Sequence, residues 1–314
     1  IKALIIMLAG IISAVITEAL TQKAFNKPIT IKDGSAVLTG LLVAMNVPPA
    51  SPVWMTIIGS AFAIFIVKQL FGGLGFNIFN PALAARAFMV ASWPVEMTTK
   101  WFKYNDNNVI AKGITNTFGY TKEAFDTFTS ATPLGLLKEG PKLVKDLNLD
   151  PSKLNDMLYS PQMIKSMFYG NIGGSIGETS ALLLLLGGIF LIIRKVITWH
   201  IPIIYIATVA ALSAIYYSAT GHPAGMHAML FHVISGGLFL GAFFMATDMV
   251  TSPVSGKGMI IFAIGCGLLT FVIRLWGGYP EGVSYSILLM NAAVPLIDRL
   301  SKPKVFGANK KKSE

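Results

Sequence analysis

Apolar runs recur along the chain, most of them roughly 17–25 residues long, separated by short stretches carrying charge, proline or glycine. Their limits predict helical segments at 3–21, 35–47, 52–71, 80–94, 178–193, 201–218, 227–247, 258–276 and 283–300. Most suit a hydrocarbon core of about 30 Å, which takes about 20 apolar residues to cross as a helix. The 35–47 segment ends at Asn46-Val47-Pro48-Pro49 and reads as a broken or part-spanning helix. Residues 95–177 are polar and follow neither pattern. The reading is an all-α polytopic membrane protein. Its parts are a first membrane repeat (1–94), a long loop (95–177), a second membrane repeat (178–300) and a basic tail (301–314).

Composition strengthens this reading. Of 314 residues, 54% are hydrophobic and 13% charged, against about 25% charged in an average soluble domain. One soluble domain could not bury so many wholly apolar helices. The net charge of +10 includes tail residues Lys302, Lys304, Lys310, Lys311 and Lys312. Beside a membrane these suit anionic lipid head groups, so lipid rather than nucleic acid is the expected partner. A single cysteine, Cys266, excludes an internal disulfide and a multi-cysteine metal site. The chain begins at Ile1 within an apolar run too long for a signal peptide, so natural residues are expected to precede it.

Loop charge sets an orientation. With the basic tail cytoplasmic, alternation places loops 23–33, 68–77, 194–200 and 248–257 inside, and each carries Lys or Arg. Connections 46–51, 219–226 and 277–282 fall outside and carry none. The long loop, 95–177, then falls outside the membrane. Its nine lysines do not oppose this, because loops beyond about 60 residues translocate largely regardless of charge.

The chain also resembles itself. Val67-Lys-Gln-Leu-Phe-Gly-Gly73 is similar to Val272-Ile-Arg-Leu-Trp-Gly-Gly278, and each closes a span that follows a proline turn. The orientation count puts the two copies on opposite sides. That predicts an inverted repeat of about five helices per half, with the first helix missing before Ile1.

The sharpest chemical signal is in the loop: Asp126-Thr127-Phe128-Thr129-Ser130-Ala131-Thr132-Pro133-Leu134. Thr132 fits a helix N-cap, with Pro133 as the first helical residue and Gly140 ending a short helix over 134–139. Capping leaves Asp126, Thr129, Ser130 and Ala131 unexplained. Together with Thr132 they match Asp-x-x-[Ser/Thr]-[Gly/Ser]-Ala-Thr, the pattern read by the flavin transferase that esterifies a threonine hydroxyl with the phosphate of FMN. The two readings are compatible, because a helix N-terminus favours an attached phosphate.

Most of the chain resembles one family, the D subunit of the Rnf ion-pumping ferredoxin:NAD⁺ oxidoreductase, whose sister is the B subunit of the sodium-pumping NADH:quinone reductase. The stretches that carry the resemblance are Lys68–Phe88 (KQLFGGLGFNIFNPALAARAF), Gly173–Ser180 (GGSIGETS), Phe244–Pro253 (FMATDMVTSP) and Gly277–Gly282 (GGYPEG). The resemblance implies FMN on Thr132, an electron-relaying role coupled to Na⁺ or H⁺ movement, and partners among Rnf-type subunits A, B, C, E and G. It also implies maturation by a flavin transferase. The sister family holds riboflavin near an Asn-x-x-Asn-Pro stretch, where Asn77 and Asn80 stand here. Spacing alone puts Asn77 and Asn80 one helical turn apart at a proline break. There they either bond a flavin edge or satisfy backbone groups freed by the break.

Other polar residues in or near spans are Glu18, Arg86, Glu178, Asp248, Arg274 and Glu281. Ionisable groups at such depth are expensive, which marks them for attention. Asp248 and Lys257 suggest an interfacial pair, and Glu178 either a flavin neighbour or a helix cap. His222, His227 and His232, five apart, do not share one helical face, so no metal site is read there. The chain has no Rossmann fingerprint and no iron–sulfur cysteine set, so it cannot itself react with NADH or ferredoxin. The reading is a redox subunit of a translocase. The alternative is a channel or transporter for a small polar solute, since such folds also show inverted repeats and broken helices.

Overall fold

The computed structural model describes residues 1–99, 132–146 and 151–302, and all regular structure among them is helical. The membrane portion of the first half comprises α1 (Lys2–Ala24), α2 (Ser35–Met45), α3 (Val53–Gln69) and α4 (Pro81–Ser92). Four short helices follow: α5 (Pro94–Thr99), α6 (Pro133–Asp146), α7 (Pro151–Leu158) and α8 (Pro161–Tyr169). The second half comprises α9 (Ala181–Ile193), α10 (His200–Ala219), α11 (Gly225–Ile234), α12 (Leu238–Met245), α13 (Gly256–Trp276) and α14 (Val283–Leu300).

Local sequence explains many of the ends. Asn80, Ser160, Ser180 and Ser255 each accept backbone N–H bonds at a helix start, and Pro81 and Pro161 occupy first positions where their missing N–H costs nothing. Gly170 ends α8 in the left-handed region at φ 99°.

Helices α1, α10, α13 and α14 are long and apolar enough to cross a membrane. The pair α11 and α12 is apolar enough only when taken together and is bent by 54° at its break, the form of a broken span or a re-entrant loop. The 227–247 segment, predicted as one helix, is therefore two. The break falls at Ser235-Gly236-Gly237, where Gly236 takes φ +65°, a conformation that costs glycine little and other residues more.

Exposure on α1 is arranged for lipid. Leu4, Leu8, Ile12, Ile16 and Leu20 form an exposed stripe at four-residue spacing, while Ser13, Glu18, Thr21 and Gln22 are buried on the inner face. A water-soluble helix would be turned the other way. Gly10 and Gly40 let α1 and α2 approach closely; a methyl group on Gly40 would come within 2.4 Å of the Gly10 carbonyl oxygen. Small residues at such crossings are the usual means of helix association in lipid.

Packing follows a similar order in both halves. Helix α1 packs on α2 and α3, as α10 packs on α11 and α13, and α4 meets α14 between the halves. The main core lies at this junction, with Met55, Leu83 and Met89 from the first half and Tyr205, Phe262 and Ile287 from the second.

Candidate functional site

A second apolar cluster positions α6. Leu134 and Leu136 are buried with Leu154, Leu158, Met163 and Phe231, which ties the loop helices to α11. A methyl on Gly236 would lie 2.6 Å from Leu134 Cδ1, so the start of α6 rests on the break between α11 and α12. Lys138 fixes the other side. Its Nζ donates to the carbonyl oxygens of Ile273 and Tyr279, each at 3.3 Å, and to that of Gly277. A lysine there satisfies carbonyls at the C-terminus of α13 and complements its dipole. Burial lowers the pKa of Lys138.

Thr132 caps α6 as its sequence predicted: Oγ1 accepts from Gly135 N at 3.1 Å, and the carbonyl accepts from Leu136 N at 2.8 Å. The helix does not end at Gly140. It continues through Gly140 and Pro141 to Asp146, because Gly140 packs on Leu154 of α7 and tertiary contact overrides the breaker. Asp126, Thr129, Ser130 and Ala131 lie outside the described residues.

Thr132 lines a cavity of about 300 Å³ with Arg86, Gly135, Glu139, Tyr279, Glu281 and Tyr285, among others. Tyr279 and Tyr285 stack with ring centroids 4.7 Å apart. Behind the cavity wall is a cluster of charges. Arg86 donates to Asn46 Oδ1 at 2.8 Å, pairs with Glu281 Oε2, and approaches Glu178 Oε2 at 4.0 Å. Glu178 is 3% exposed; its Oε1 accepts from Ser175 N at 2.7 Å, while Oε2 has no hydrogen-bond partner. Arg274 donates from Nε to Glu281 O at 3.0 Å, from Nη1 to His232 O, and from Nη2 to Ser235 O at 3.0 Å. Arg274 thus satisfies carbonyls freed at the α11–α12 break, as a backbone interrupted within a membrane requires. Burial pushes the Glu281 carboxyl up to about 7 against the opposing pull of Arg86, with Glu178 adding to the rise.

Sequence reading marked Arg86, Glu178, Arg274 and Glu281 singly but did not bring them together, and it missed Lys138. Nothing in the sequence distinguishes Lys138 from the other loop lysines. Glu178 does not cap the following helix, which Ser180 caps; its Oε1 instead closes the preceding turn through Ser175 N.

A separate polar cluster lies among α1, α2 and α3. Lys68 Nζ pairs with Glu18 Oε1 at 2.7 Å and donates to Ser35 Oγ at 2.7 Å, while Gln69 Nε2 donates to Glu18 at 2.8 Å. Glu18 and Lys68 are 1% and 2% exposed.

Two further expectations are corrected. Asp248 does not pair with Lys257; it accepts from Thr251 Oγ1 and Val250 N and closes its own turn, a local bond that outcompetes the longer reach. Asn77 and Asn80 are not one helical turn apart, because Asn77 lies in irregular chain. Asn80 Oδ1 caps α4 through Ala82 N and Leu83 N, and its Nδ2 donates to Met245 O. Asn77 Nδ2 donates to Phe79 O. Of the histidines, His232 is buried with Nε2 3.0 Å from the Tyr217 hydroxyl, and His222 Nδ1 accepts from Ala224 N.

A sequence model described as the NQR2, RnfD, RnfE family matches residues 1–307. The chain is 49% identical, over 99% of its length and 86% of the relative's, to the D subunit of the proton-translocating ferredoxin:NAD(+) oxidoreductase complex of Clostridium ljungdahlii. It is 48% identical to the D subunit of the Na(+)-translocating ferredoxin:NAD(+) oxidoreductase complex of Acetobacterium woodii, over 99% and 85% of the two chains. The D subunit of the ion-translocating oxidoreductase complex of Stutzerimonas stutzeri is 44% identical, over 95% and 82%.

Proposed function

Because the chain belongs to the NQR2, RnfD, RnfE family, we propose that it is a membrane subunit relaying electrons within a ferredoxin:NAD⁺ oxidoreductase complex coupled to Na⁺ or H⁺ translocation. Relatives named for protons and for sodium are almost equally similar to it, so overall identity does not select the ion. Electrons come from, and pass to, the other subunits of the complex.

The redox group in this reading is FMN, esterified through its phosphate to Thr132. The observation that carries it is the Thr132 hydroxyl at the N-terminus of the fourteen-residue helix α6, on the wall of a cavity shared with Arg86. A helix N-terminus and a guanidinium both favour the single negative charge of the phosphodiester so formed. Gly135 and Gly278 leave room beside the hydroxyl, and the Tyr279–Tyr285 stack offers an aromatic surface. A flavin so attached supplies one- and two-electron carrying capacity. The chain's own residues anchor and orient it: Lys138 and Leu134 hold α6 against α13 and α11, and Arg86 supplies a fixed positive charge.

The loop carrying Thr132 is placed outside the plasma membrane and the basic tail inside, on the loop-charge argument. Co-expression with the flavin transferase tests the assignment. A fluorescent flavin band on a denaturing gel, lost in Thr132→Ala and mapped by mass spectrometry to the Thr132 peptide, is the expected result. An unmodified peptide from a demonstrably active transferase system overturns it and turns attention to solute flux.

A further inference from the structure

Glu178 and Glu281 stand one behind the other beside the Thr132 cavity. Glu281 lines it, whereas Glu178 does not and is almost wholly buried. Both contact Arg86, which pairs with Glu281 Oε2 and lies 4.0 Å from Glu178 Oε2. Glu178 Oε2 has no hydrogen-bond partner and would lie 3.2 Å from a methyl on Gly237, so it faces the break in the α11–α12 pair. Arg274 adds a second positive charge from α13, held by three carbonyls. The cavity-side groups completing the surroundings are Glu139 of α6, Tyr279 in the turn before α14 and Tyr285 in its first turn.

With both carboxylates ionised, the two glutamates and two arginines are formally neutral. An electron arriving in the cavity leaves one uncompensated negative charge, and charge in a partly desolvated site is costly. We propose that Glu281, backed by Glu178 and held by Arg86, takes up one proton when an electron reaches the group carried on Thr132. An O–H bond forms on the Glu281 carboxylate with a proton from solvent in the cavity; the electron comes from a one-electron carrier elsewhere in the complex. Both leave together on reoxidation. This rests on the flavin reading above. The position of Glu281 supports the role, since burial and the neighbouring carboxylate already hold it near the point of titration at neutral pH. A unit charge added within about 10 Å raises the proton affinity of a carboxylate roughly tenfold at an effective dielectric constant of about 20.

The test uses the assembled complex, with flavin attachment confirmed by in-gel fluorescence. Reduced-minus-oxidised infrared spectra of the wild type are expected to gain a protonated-carboxyl band that is absent in Glu281→Gln. The flavin midpoint potential of the wild type is expected to fall with pH more steeply than that of Glu281→Gln. The difference reaches about half a proton per electron, about 30 mV per tenfold change in proton concentration, between about pH 7 and 8. Glu139→Gln, on the same cavity wall, should keep both signatures. Glu178→Gln should keep the band and move the pH at which the slope changes to lower values. A flavin-loaded Glu281→Gln complex with the wild-type band and slope overturns the proton site alone. Absence of covalent flavin from the wild type overturns the Thr132 reading and this proposal with it.

Discussion

Arg86 of α4 and Glu281 of the turn before α14, separated by 195 positions in sequence, form an ion pair that joins the two halves of the chain beside the Thr132 cavity. Arg86 also holds Asn46 at the end of α2, so one guanidinium ties three elements. Both partners line the cavity and are partly buried, so removing one leaves an uncompensated charge at a cost below the about 3–5 kcal/mol typical of a fully buried pair. Arg86→Ala is therefore expected to lower the thermal unfolding midpoint in detergent, and Arg86→Ala with Glu281→Gln to recover part of the loss.

The same pair sets a pH dependence. Glu281 is raised from 4.5 to about 7 in the folded protein, so between these values the folded state binds more protons than the unfolded. Its contribution to stability is complete below about 4.5 and is lost as pH rises through about 7, by at most about 1.4 kcal/mol per unit. The difference between wild type and Glu281→Gln in unfolding free energy, measured from pH 4.5 to 8, isolates this slope. A difference that grows with rising pH would contradict it.

Thr132 has two separable duties. Thr132→Ala removes the cap and the hydroxyl, and the cap alone is worth about 1 kcal/mol. Thr132→Asn keeps a capping acceptor but has no hydroxyl to esterify. Both variants should lack covalent flavin, while only Thr132→Ala should show faster hydrogen exchange in the first turn of α6.

Lys138 anchors α6 through carbonyls of Ile273, Gly277 and Tyr279. Hydrogen bonds from a charged donor contribute about 1.5–3 kcal/mol. Lys138→Met should raise proteolytic nicking within α6 and leave the unfolding of the membrane core unchanged. Equal protection in variant and wild type would show that the leucine contacts suffice.

Between α1 and α3, Lys68→Met strands the buried Glu18 carboxylate and should destabilise by about 3–5 kcal/mol. The double variant Glu18→Gln/Lys68→Met removes both charges and should regain most of that in chemical unfolding.

Much of the molecule was legible locally. Apolar length gave the helices to within a few residues at most ends, since a segment in lipid must satisfy its own backbone and cannot stop midway. Thr132 announced a helix start because a cap acts within three residues of itself. The break at Ser235-Gly236-Gly237 was also written in the sequence, but hydropathy ran through it because Leu, Phe and Ala resume at once on the far side. Asn77 and Asn80 were misjudged for a related reason. Their spacing suits a helix, yet the chain around Gly72, Gly73 and Gly75 takes positive φ and leaves it.

Sequence by itself thus determined the membrane class, most of the helices, the family and the helix cap at Thr132. Only the tertiary structure decided that Arg86, Glu178, Arg274 and Glu281 converge, that α6 rests on the break in the α11–α12 pair, and that Thr132 shares its cavity with Glu281. The physical reason is range. Helix formation and capping depend on neighbours a few positions away, whereas an ion pair between residues 195 positions apart exists only after packing has brought α4 against α14.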